Sequence, residues 1–157
     1  MKIVIGSDKS GFAVKESIAT YLRENQIDFD DLGTTDLDHV TPYYEVAENV
    51  APLVQNGTYE KAVLICGTGA GMSVVANKFK LVHAVACESV YSAKMARAIN
   101  NANVLCMGGW IVGPEMAVSM VKTFLETEWC QDLEDWRTKN MHRFAERIAD
   151  LEDSIYH

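Results

Sequence analysis

Cys66, Gly67, Thr68, Gly69, Gly71 and Ser73 fall within one short stretch, LICGTGAGMSVVANK (64–78). An apolar run ends at the cysteine, three glycines alternate after it, and a helix-like pattern follows. Glycines in this spacing let a chain turn tightly from strand to helix and approach a ligand without Cβ clashes. The N–H groups and dipole of the next helix then face one point, which suits negative charge. A thiol beside a helix N-terminus titrates below its ordinary value of about 8.5 and supplies a thiolate near neutral pH. Such a base can take a proton from carbon next to a carbonyl. The same N–H groups can hold the enediolate that results. Thr68 and Ser73 add hydroxyls able to bond a sugar. The bland alternative is a buried thiol above a glycine turn selected for packing.

Two other glycine-loop chemistries fit less well. A dinucleotide fingerprint needs GxGxxG, but here the third glycine, Gly71, comes one residue early and Met72 takes its place. That fingerprint also usually follows the first strand rather than the third, although Glu88 lies about 20 residues on, where a ribose-binding acid would stand. A phosphate-binding Walker loop fails because no GK[ST] follows.

The loop needs elements to hold it. Five apolar or β-branched runs (2–6, 27–33, 61–66, 82–87 and 103–108) alternate with helical patterns. The second run, IDFDDLG, is polar and reads as an edge strand. The runs at 61–66 and 82–87 are nearly continuous, as in strands covered on both faces. Helices are expected over 11–25, from Pro42 onward, and over 71–79, 91–100 and 114–126. This alternation implies an open parallel α/β sheet with right-handed crossovers, whose ligands bind at the carboxyl ends of the strands near a switch in strand order. After Glu126 no sixth strand follows, and the charged remainder reads as a helical tail.

A chain of 157 residues is the size of one domain. A net charge of −8 argues against a nucleic-acid or anionic-membrane partner, while leaving room for one small phosphorylated ligand. No apolar stretch reaches membrane-spanning length and no leader pattern opens the sequence, so the chain reads as cytoplasmic. Cys66, Cys87, Cys106 and Cys130 contain no CxxC pair, which disfavours a disulfide framework or structural zinc site. The last three read as small buried hydrophobes.

GSDKSGF, LICGTGAGMSVVANK, YSAKMARAINNANVLCMGG and IVGPEMA resemble the B-type ribose-5-phosphate isomerases and the related galactose-6-phosphate isomerase subunits. The likeness runs from Met1 to about Glu128. It implies a single Rossmann-like α/β/α sandwich with a five-stranded parallel sheet over 1–128. Residues 129–157 are then a helical tail of the same domain, packing on a partner subunit. It implies aldose–ketose isomerisation through an enediolate, no metal or organic cofactor, and a homodimer or dimer of dimers with shared active sites. By resemblance, Cys66 is the base and Gly67, Gly69, Gly71 and Ser73 line the enediolate. Thr68 and Asp8 contact sugar oxygens, the plainer alternative for Asp8 being a cap on the helix after it. Asn100 matches an asparagine given by the partner subunit. Two tail arginines one turn apart, Arg143 and Arg147, match the phosphate clamp, with Arg137 as a rival.

Three positions depart from the family pattern. Lys9 replaces a phosphate-binding histidine while still able to bind substrate as a point charge on its phosphate, Thr41 replaces a substrate-stacking tyrosine beside Tyr43 and Tyr44, and Ile99 the histidine thought to open the sugar ring. His39, His83, His142 and His157 fall outside that motif and read as structural. The sugar is expected to be a tetrose, pentose or hexose phosphate. Isoleucine cannot move a proton, so a tetrose phosphate, which cannot close the usual furanose, is expected to serve better than ribose 5-phosphate. The alternative is a non-catalytic or partner-dependent subunit that binds sugar phosphate.

Overall fold

Every residue of β1 (Ile3–Ser7), β3 (Lys61–Cys66) and β5 (Val104–Gly108) is buried, which is why these runs are apolar without alternation. With β2 (Phe29–Asp31) and β4 (Ala84–Ala86) they form one parallel sheet in the order β2-β1-β3-β5-β4. The computed structural model describes residues 1–156, and His157 lies outside them. One sheet face packs Ile3, Ile5, Val63, Ile65 and Leu105 against α1 (Phe12–Glu24), α4 (Val90–Ala98) and α5 (Pro114–Glu126). The other packs Val4, Leu64 and Cys106 against α2 (Tyr43–Gln55) and α3 (Ala70–Ala76). The result is the expected three-layer α/β/α sandwich. No helix among the described residues is long and apolar enough to cross a membrane.

Two expectations about local structure are corrected. The run 82–87 does not form a strand covered on both faces. Only Ala84–Ala86 joins the sheet, Val85 is half-buried and Ala86 exposed, because β4 is an outermost strand with β5 as its single neighbour. α3 also stops at Ala76 rather than 79. The Asn77 side chain exchanges two hydrogen bonds of 2.8 Å with the Ala84 backbone, which pulls the chain out of the helix and into β4.

Charged side chains lock the framework in ways the sequence pattern hides. Lys15 is fully buried in α1 and bonds Asp31 at the carboxyl end of β2, with Glu16 at 2.9 Å. Lys61 Nζ donates to the Leu125 carbonyl at 3.0 Å, and Arg97 Nε donates to the Thr127 carbonyl at 3.4 Å. Both cations thus sit at the negative end of α5. Burial, and for Lys61 the nearby Arg97 charge, lowers the pKa of each below its ordinary value.

α6 (Asp135–Ile155) is the tail. None of its residues is buried, and Phe144, Ile148, Leu151 and Ile155 leave an apolar stripe exposed along one face. Its far end is tied to the body by Lys80 with Asp153, and by the Leu81 N–H, which donates to Glu152 Oε1 at 3.1 Å.

Candidate active site

The strand order reverses between β1 and β3, from which α1 and α3 leave toward opposite faces. The crevice at their carboxyl ends is the expected ligand position. It holds Asp8 and Lys9 from one loop and Cys66–Gly69 from the other. Backbone bonds stitch these loops to the one after β5: Asp8 N–H to the Ile65 carbonyl (3.2 Å), Gly109 N–H to Cys66 (2.7 Å) and Trp110 N–H to Gly67 (3.1 Å).

Cys66 ends β3 with 5% of its surface exposed, and its Sγ accepts the Gly69 N–H at 3.1 Å. Gly69 can make that turn because its φ is +80°, a left-handed value that costs other residues more. A β-carbon there would also lie 2.8 Å from the Met107 backbone. The N–H groups of Gly67, Thr68 and Gly71, on the same turn, have no acceptor among the described residues. Thr68 is exposed on the turn, its Oγ1 accepting the Ala70 N–H at 3.4 Å. Burial raises the pKa of Cys87 and, more strongly, of Cys106, where Cys66 and Cys87 add to the effect. Cys130 is half-buried rather than buried.

Asp8 serves the turn as well as facing the crevice. Its Oδ1 accepts the Gly11 N–H at 3.0 Å ahead of α1, and its Oδ2 accepts no hydrogen bond among the described residues. Lys9 is exposed next to it. The Ser73 hydroxyl, expected to face a sugar, donates to the Ala70 carbonyl at 2.9 Å within its own helix. Thr41 does not stand in for an aromatic wall. Its N–H donates to Thr34 Oγ1 at 3.0 Å, anchoring the loop that delivers Tyr43.

Asn100, Arg143 and Arg147 are not brought to Cys66. Asn100 precedes β5 at the amino end of the sheet, and the five residues of that strand span roughly 16 Å. There Ile99, Asn100 and Arg147 line a cavity of about 620 Å³ with Trp129, Phe144 and Ile148. Arg143 is exposed one turn earlier on α6. Neither Arg143 nor Arg147 has an ion-pair partner among the described residues. Arg137 lies 3.7 Å from Glu134 and over the Trp136 ring. His39 pairs with Asp36, His83 approaches Glu152, and His142 packs on Trp129.

Sequence reasoning passed over Trp110. Its ring lies on Gly67 so closely that a β-carbon at Gly67 would meet three ring atoms at 2.8 Å. The signal was available: a tryptophan directly after the Gly108–Gly109 pair that closes the fifth strand.

Residues 3–141 match the family described as Ribose/Galactose Isomerase. The chain is 46% identical to a 4-deoxy-4-sulfo-D-erythrose isomerase of Clostridium sp. (strain MSTE9), over 99% of this chain and 98% of the relative. It is 41% identical to D-erythrulose-4-phosphate isomerase 2 of Mycolicibacterium smegmatis, over 82% of this chain and 86% of the relative. A crystal structure of ribose-5-phosphate isomerase B from Mycoplasma genitalium with bound ribulose-5-phosphate superposes with a TM-score of 0.86 at 31% identity, covering 97% and 96% of the two chains.

Proposed function

Because the chain belongs to the ribose/galactose isomerase family and is an aldose–ketose isomerase of sugar phosphates, we propose that its substrate is a four-carbon sugar with an anionic group on C4. The group is a phosphate or a sulfonate, as the names of the two tetrose-acting relatives suggest. The observation that carries the mechanism is Cys66 Sγ accepting the Gly69 N–H in a glycine turn whose Gly67, Thr68 and Gly71 N–H groups have no acceptor among the described residues. As thiolate, Cys66 removes the proton from C2 of the aldose. The electron pair forms the C1–C2 double bond and the carbonyl oxygen becomes an enediolate oxyanion, held by the Gly67, Thr68 and Gly71 N–H groups. The proton returns from the sulfur to C1. A second proton passes from O2 to O1, with the Thr68 hydroxyl and Asp8 placed to carry it. No oxidant or reductant is consumed.

Ile99 favours four carbons. A tetrose 4-phosphate has its O4 esterified, and a 4-deoxy-4-sulfo-tetrose has no O4 at all. Neither can form a furanose through C4, so no ring-opening group is needed at position 99. One chain holds only half of the site, since Asn100 and Arg147 lie at the far end of the sheet from Cys66. We assign them to the Cys66 crevice of a second copy, with Arg143 and Arg147 on its anion. Residues 1–128 then carry the catalytic half and 129–157 serve the partner through the exposed stripe of α6. The expected assembly is a homodimer or dimer of dimers in the cytoplasm, in keeping with four free cysteines.

The test is the purified protein, without any paralogous chain, against 4-deoxy-4-sulfo-erythrose, erythrose 4-phosphate, ribose 5-phosphate and a hexose 6-phosphate. Turnover with the highest kcat/KM on a tetrose, and uptake of solvent deuterium at carbon, is the expected result. Faster turnover of the pentose or hexose would overturn the substrate assignment. Binding without turnover would mean a partner-dependent subunit.

A further inference from the structure

Trp110 and Tyr43 stand at the two ends of the catalytic turn. The Trp110 ring is seated on Gly67, the residue after Cys66, and the Trp110 backbone N–H donates to the Gly67 carbonyl. The Tyr43 ring is seated on Gly71, where an added β-carbon would lie 2.8 Å from it. Single exposed aromatics are ordinary. Here two rings rest on two glycines of one loop, and both keep their outer faces open: Trp110 is 75% exposed and Tyr43 40%. Side chains at positions 67 and 71 would displace them, so the glycines admit the rings as well as the turn.

This arrangement limits length. Reacting carbons must come within about 3–3.5 Å of Cys66 Sγ, and the indole rests on the very next residue of the chain, Gly67. A sugar seated over the sulfur therefore has the indole as its neighbour on the Gly67 side. An indole face offers packing for C–H groups and no acceptor for a further hydroxyl. Asp8 and Lys9 come from this chain and the anion clamp assigned above comes from the second copy, so a fifth carbon laid on the indole would push the terminal anion away from that clamp. We infer that Trp110 is the specificity-determining residue that sets the length of the sugar, closing the site to five-carbon chains. The inference rests on the isomerase reading above.

The experiment is Trp110→Ala and Trp110→Phe, with kcat/KM measured on erythrose 4-phosphate, 4-deoxy-4-sulfo-erythrose and ribose 5-phosphate. Trp110→Ala should raise the pentose-to-tetrose ratio by about 10–100-fold, the scale at which a pocket discriminates one carbon. Most of the change should come from a lower KM for the pentose, and Trp110→Phe should fall between. Because the ring is exposed, the fold is expected to survive, and the conservative Phe variant gives a second reading. Parallel loss on all three sugars, with the ratio unchanged, would overturn the role of Trp110 and leave the isomerase reading standing. A wild-type enzyme inactive on every sugar would overturn both.

Discussion

At the scale of single residues, Cys66 is singled out by its donors. Cys106 and Cys87 are buried on opposite faces of the sheet, where burial pushes their thiols up, and the Cys66 Sγ accepts the Gly69 N–H at 3.1 Å. Cys66→Ala should lower kcat by at least the 10²–10⁴-fold typical of a lost general base, about three decades, with circular dichroism unchanged. Cys66→Ser should fare no better, since a hydroxyl is a far weaker base. A Cys66→Ala enzyme retaining most of its kcat in a coupled assay would move the base elsewhere, with Asp8 next in the crevice. The tail arginines give a second residue-level expectation. Arg143 and Arg147 have no carboxylate partner among the described residues, whereas Arg137 is already engaged with Glu134 and Trp136. Removing either clamp arginine should raise KM by about 10–100-fold, the loss of one charge-assisted hydrogen bond. Arg137→Ala should change it little. The reverse pattern in steady-state kinetics would place the anion one and a half turns or more toward the start of α6.

At the scale of elements, the short edge strand β2 depends on side-chain bonds as much as on its three-residue ladder. The Tyr59 hydroxyl, just ahead of β3, donates to Asp30 Oδ2 at 2.6 Å. That bond lowers the Asp30 pKa and, with burial, pushes Tyr59 up to about 12. The raised tyrosine stabilises the fold fully below pH ~10, its unfolded value, and this contribution fades as pH approaches 12. The lowered aspartate contributes above pH ~4 and less below. Tyr59→Phe should therefore lower Tm by about 2–4 °C between those limits. The gap from wild type should close at either extreme in thermal melts across pH, and a gap constant from pH 3 to 12 would count against this bond. Such side-chain ties explain what could be read from the sequence. β1, β3 and β5 were legible because strands buried on both faces must be apolar throughout, and Pro114–Glu126 because proline marks a helix start. β4 and α3 were misjudged because strand order and the Asn77–Ala84 latch are tertiary facts that no local period carries. In the site, the glycine spacing exposed Cys66 and its turn. Trp110 was missed because its contact with Gly67 appears only once the β5 loop is laid against the turn. The Ser73 hydroxyl donates to the Ala70 carbonyl within its own helix, a local bond that sequence spacing does not reveal.

At the scale of the whole molecule, the two ends of one sheet hold the two halves of the proposed site. Cys66 lies at the carboxyl end, and Asn100 and Arg147 at the amino end beside α6. In a twofold dimer the same pair of surfaces meets twice, so each crevice draws its base from one copy and its anion clamp from the other. This arrangement makes a statement about mixtures that a self-contained subunit would not. A Cys66→Ala chain and an Arg147→Ala chain are each defective in both sites of their own homodimers. In a heterodimer both lesions fall in one site, and the other site is intact. Equal amounts of the two variants, unfolded together and refolded, should produce half heterodimers by random pairing, and so recover about a quarter of wild-type activity. The recovered sites should show wild-type KM, because each intact site contains no substitution. Activity that stays at the sum of the two variants, in a mixture shown by native mass spectrometry to contain heterodimers, would mean that Arg147 acts within its own chain. The tail would then have to leave the position it holds along the amino end of the sheet, breaking the ties from Asp153 to Lys80 and from Glu152 to Leu81.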